Sequence, residues 1–157
     1  MKKYELTSET KIVFGHILYR IKALSSFGCV SAGDLGGFLE SEKNLSQNGN
    51  ARVSGDAEVS GNARVYGNAR VYGNAEVSKI GSIFWIGAVG SRNDTATFFR
   101  CTDGVVRVTC GCFFGNLDEF AKKVRKTHGD NDHAKVYMLA IDMAKIRIST
   151  EKEKTEE

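Results

Sequence analysis

Proline is absent from the 157-residue chain, and there is a single tryptophan and only three histidines. The absence of proline argues against a proline-rich linker. Long apolar runs are missing too. Nothing approaches the roughly 20 residues of a membrane-spanning helix, so no membrane partner is expected. The opening MKKYELTSETK has two lysines but no apolar stretch behind them. It therefore reads as no secretory signal, and cytoplasmic residence is the expectation. In that compartment Cys29, Cys101, Cys110 and Cys112 are expected to be reduced. A strong charge of one sign is also lacking. The net charge of +3 permits an anionic partner but falls far short of a duplex-DNA binder. With 41% hydrophobic and 26% charged residues, the composition is that of an ordinary folded domain.

What the chain does have is a repeated phrase. GNARVS from Gly49, GDAEVS from Gly55 and GNARVYGNARVYGNAEVS from Gly61 say one six-residue pattern five times. Ala and Val lie two apart, so an extended segment points both to one face, with Arg or Glu on the other. Gly followed by Asn or Asp is a corner signal. Each phrase is thus a short strand and a bend. An open meander of hairpins is one arrangement, but such short strands bury little. A stacked solenoid makes Ala and Val into continuous internal columns. Val53, Val59, Val65, Val71 and Val77 would form them, extended by Ile83 and Val89 and, upstream, by Leu39 and Leu45. Gln47 and Asn48 read as an outward bulge.

This pattern resembles the left-handed β-helix of the hexapeptide-repeat proteins, whose best-known members are acyltransferases. A closer resemblance is to small phage and prophage proteins. These pair KYELTSETK and AGDLGGFLESEKNLS segments with Gly-Asn-Ala repeats and a closing VTCGCFFGNLDEFAKKV. The likeness to hexapeptide-repeat proteins implies the triangular cross-section and handedness of the coils, and the likeness to phage proteins carries over no established activity. The expected fold is mainly β with α: about three coils of parallel β-helix over residues 35–92. A β cap over 1–34 precedes them, a ββαα module over 93–150 follows, and a charged tail occupies 151–157.

Within the module, TATFFR and GVVRVTC read as strands joined by a CTDG turn, and CGCFFG as a tight connection. Asn116 is a candidate N-cap for a helix through LDEFAKKVRKTH that buries Leu117, Phe120 and Val124. A second helix from about Asp132 to Ile148 is expected to turn Val136, Leu139, Ala140 and Met143 inward.

Catalytic residues are not evident. An acyltransferase of this kind needs a histidine base, but His16, His128 and His133 all lie outside the repeats. Cys110-Gly-Cys112 is poorly spaced for zinc and has no second pair, so no metal and no cofactor is expected. A thiol nucleophile ahead of a helix N-terminus is the rival reading of that segment. Residues eighteen apart should stack, placing Arg52 under Arg70 and Glu58 under Glu76. The candidate ligand-binding groups are either Arg70 and Tyr72 on the coils or Arg107, Lys122, Lys123 and Arg125 in the module. Tyr66, Tyr72 and Phe84 are candidates for an oligomer interface.

The reading favours a non-enzymatic binding protein of phage type, a homotrimer or larger closed oligomer. Its expected partner is a host protein or an anionic small molecule, such as a nucleotide immune signal that it sequesters. An acyltransferase-like enzyme and a purely structural protein are the alternatives.

Overall fold

A computed structural model describes residues 1–148. The charged tail expected over 151–157 and the end of the C-terminal module lie outside the described residues. The chain opens with a hairpin of β1 (Tyr4–Val13) and β2 (His16–Ala23). Its two-residue turn, Phe14-Gly15, has positive φ at both positions (48° and 80°), the twist that matches paired strands. Strand β2 pairs antiparallel with β3 (Leu35–Leu39). From β3 the same sheet continues in parallel through β5 (Glu58–Val59) and β7 (Glu76–Val77). A second, two-stranded parallel sheet joins β4 (Arg52–Val53) to β6 (Arg70–Val71).

The inward positions of the repeat are filled as its period requires. Val53, Val59, Val65, Val71 and Val77 and the alanines two residues before each are at most 2% exposed. The glycines opening the five phrases all take positive φ, between 60° and 72°, which turns the chain at each corner. Yet these residues do not build the expected closed left-handed β-helix. Parallel pairing in the repeats is confined to two-residue rungs and one isolated bridge, Leu45 to Val65. Three distinct sheets result, one mixed, one antiparallel and one a parallel pair. The physical reason lies at the edges. Such short rungs leave unpaired backbone groups, and antiparallel strands take them up: β2 against β3, and Cys101 against Ala75. Ile83, expected to extend the columns, does join their core, but with Val89 it bounds an antiparallel strand, and Val89 packs in a separate core. The likeness to hexapeptide-repeat solenoids, and to the phage proteins read through it, is overturned with the architecture.

That strand is β8 (Ile83–Val89), followed by β9 (Asp94–Arg100), β10 (Val106–Cys110) and β11 (Phe113–Asn116). They form an antiparallel sheet in the order β11-β10-β9-β8. Two of its strands were not expected as such: β8 was assigned to the repeats and β11 to a tight connection. Strand β9 is buried on both faces. Phe99 enters the core of the stacked segment, while its neighbour Phe98 enters a second core under the helices. Helix α1 (Leu117–His128) starts where Asn116 Oδ1 accepts from the Glu119 amide at 2.8 Å, and buries Phe120 and Val124. Helix α2 (Asp132–Arg147) turns Ala134, Tyr137, Ala140, Ile141 and Ala144 inward. Of its expected inner stripe only Ala140 is buried; Val136, Leu139 and Met143 face outward. The helix carries two apolar stripes, and spacing alone does not tell which one meets the sheet.

Candidate anion-binding site

Parallel stacking places equivalent side chains about 4.8 Å apart across neighbouring strands. In this protein the equivalents are like charges: Arg52 beside Arg70, and Glu58 beside Glu76. Each needs a counter-ion from elsewhere. Lys11 Nζ of β1 reaches Glu58 at 2.6 Å. Arg100 of β9 lies 3.4 Å from Glu76. Asp94 of β9 lies 3.8 Å from Arg70. Arg52 is only 8% exposed, and among the described residues no carboxylate pairs with it.

Arg52 is held by neutral groups instead. Its Nε donates to the Tyr72 hydroxyl at 2.7 Å, and its Nη2 donates to the same oxygen. Burial opposes the charge, but hydrogen bonds with Cys29 and Tyr72 outweigh it and hold the guanidinium above the ordinary arginine value. Because the Tyr72 oxygen accepts from Arg52, its own proton is left to donate. Gly28 shapes this corner. It has φ 53°, and a Cβ there would come within 3.3 Å of Arg52 Nη1. Phe27 and Val30 lock the surrounding loop by exchanging backbone hydrogen bonds of 3.0 and 2.8 Å. Lys3 is 5% exposed and likewise lacks a carboxylate among the described residues. It donates to Ala51 O at 2.8 Å and lies 4.5 Å over the Phe27 ring, and burial pulls its ammonium down to about 8.

Arg52 and Tyr72 open onto a cavity of about 190 Å³ whose other walls include Ile21, Phe27, Leu35 and Val53. Asp34 also borders it, but this carboxylate is exposed and engaged by its own loop, accepting from the Ser31 amide at 2.9 Å. A cationic fork, a hydroxyl donor and an apolar wall suit an anionic headgroup on an apolar body.

The expected site residues do not converge. Tyr72 lies in this cavity. Arg70 is tied toward Asp94, with its Nη2 buried and lacking a hydrogen-bond partner. Arg107 makes a two-pronged pair with Asp103, 2.9 and 2.8 Å. Lys122, Lys123 and Arg125 are exposed on α1. Of the expected interface aromatics only Tyr66 is well exposed, edge-on to Trp85. Tyr72 binds Arg52, and Phe84 packs on Phe98. Arg52 was legible as a stacked charge but not as a binding group; Lys3 and Cys29 gave no signal. The missing clue was which stacked charge would find no counter-ion.

A second cavity of about 300 Å³ is lined by Asp94, Cys110, Cys112, Lys123, His128 and Tyr137. Cys110 Sγ lies 3.7 Å from the Tyr137 hydroxyl, and burial pushes its thiol up. That is the reverse of what a thiolate nucleophile requires. Among the described residues no group of three side chains is arranged to hold a metal, and no helix is long and apolar enough to cross a membrane. No known family model matches the chain, and no curated protein matches it.

Proposed function

We propose that the protein binds a small amphipathic anion at Arg52 and releases it unchanged. The observation that carries this reading is a buried arginine that has only neutral partners among the described residues, facing a cavity, beside three stacked charges that do have counter-ions. Only neutral groups hold this charge among the described residues, and an anionic ligand supplies the charged partner that it lacks. The cavity of about 190 Å³ is smaller than the roughly 300–1,000 Å³ of pockets for drug-sized molecules. It fits a short or aromatic carboxylate or phosphate ester better than a whole nucleotide. Binding is favoured over turnover because no histidine lines the cavity. His16 is engaged with Glu40 at 2.9 Å, and His128 and His133 lie together at α1 and α2. The anti-defence role rested on the phage resemblance and is not carried forward.

The test is calorimetry with acetate, butyrate, benzoate, phenyl phosphate, inorganic phosphate and adenosine monophosphate. Benzoate or phenyl phosphate is expected to bind best, more weakly as salt rises, and to be recovered intact after heat denaturation. Arg52→Gln is expected to weaken binding by at least about tenfold, the loss of a charged hydrogen bond. Equal affinity in that variant, or no binding by any member, contradicts the proposal. A chemically altered ligand in the heated supernatant contradicts simple binding and favours an enzyme.

A further inference from the structure

The outer face of α2 bears Val136, Leu139, Met143 and Ile146, between 40% and 87% exposed. Their alternating spacing of three and four is that of a and d positions in a coiled coil. These side chains are separate from the inner stripe, so the helix is apolar on two faces. We propose that this seam pairs with the same seam of a second copy, in parallel, to make a homodimer.

The flanking charges select both occupant and direction. Asp142 falls in a g position and Arg147 in the following e position, and both are exposed. In a parallel pair, each Asp142 faces Arg147 of the other copy, and the two-fold axis makes that contact twice. In an antiparallel pair centred on the same seam, Asp142 faces Asp142 of the other copy. Residues 149–157 contain no aliphatic or aromatic side chain and so are not an alternative cover for the seam.

The helix is about 24 Å long, too short for a coiled coil to stand by itself. Its C-terminal end, however, adjoins a further apolar patch. Arg147 shares a concave surface with Tyr66, Ile80 and Trp85, and Gly81 lies against the Arg147 carbonyl. A parallel pair brings both patches to one end, where they extend the seam toward the roughly 800 Å² per partner of a stable interface. This inference does not rest on the anion site.

Sedimentation velocity of the full chain over a concentration series tests it. The wild-type protein is expected to be a dimer at micromolar concentration. Leu139→Glu is expected to yield a monomer with unchanged circular dichroism, since the side chain is exposed. Asp142→Arg is expected to raise the dimer Kd at least tenfold, and adding Arg147→Asp to restore it. A wild-type monomer at every concentration, or a dimer indifferent to Leu139→Glu, overturns the proposal. Association of Asp142→Arg as tight as that of the wild type overturns the parallel direction, because an antiparallel pair only exchanges one like-charged contact at residue 142 for another.

Discussion

A single side chain, Arg52, separates what this protein needs to fold from what it has available for binding. Buried charges without a charged partner are often replaced by apolar groups at a gain in stability. Arg52→Met also removes the hydrogen bonds to Tyr72 that favour the guanidinium, so the net change in stability of the ligand-free protein is expected to stay within about 1 kcal/mol. The same change is expected to abolish anion binding. Thermal melts without ligand check this; a clear loss of stability shows that the guanidinium is structural. Lys3 makes a second prediction. Its ammonium is held at about 8 in the folded chain, against an ordinary 10.5. Below the lower value both folded and unfolded chains carry the proton, and the folded chain bears the full burial penalty. Between the two values the unfolded chain binds more protons, so Lys3 makes stability rise with pH across that window. The expected gain is about 1–2 kcal/mol after allowance for solvent screening. Melts on either side of the window should show it in the wild type and not in Lys3→Met. Parallel pH dependence in the two proteins contradicts the assignment. Neither residue stands out in the sequence, because burial of a long cationic side chain depends on which loop folds over it.

At the scale of elements, periodicity located the inward residues but not the sheets they join. The Ala and Val positions of the repeat were legible because their period of six is uninterrupted, as was α1, whose cap, acidic first turn and terminal glycine agree. Strand β8 was misread because Ile83 and Val89 continue the same period of six while belonging to an antiparallel partner. Inner and outer faces of α2 were confused because both are apolar. The solenoid failed for a related reason: a repeat specifies what points inward, whereas closure depends on which strands cover the edges. The buried columns yield a direct prediction. Val65 is 0% exposed and sits on the single bridge to Leu45. Val65→Asp buries an unpaired carboxylate there and is expected to cost about 3–5 kcal/mol, a large share of the stability of an ordinary domain. Urea denaturation measures it; an unchanged midpoint means that this column is not a core.

For the whole molecule, the three sheets are bound together by ion pairs as well as by packing. Glu58 takes its counter-ion from β1, Glu76 and Arg70 theirs from β9. The repeated segment is thus not electrically self-sufficient, which the sequence conceals because each phrase looks locally complete. Synthesis of the chain runs in one direction, at about 5–20 residues per second. Lys11 leaves the ribosome before the charges it neutralises, but Asp94 and Arg100 leave after theirs. For a second or more, the growing chain carries Arg70 without Asp94, and the core of the repeats without Phe99. The repeated segment therefore completes its core only once the strand that follows it has been synthesised.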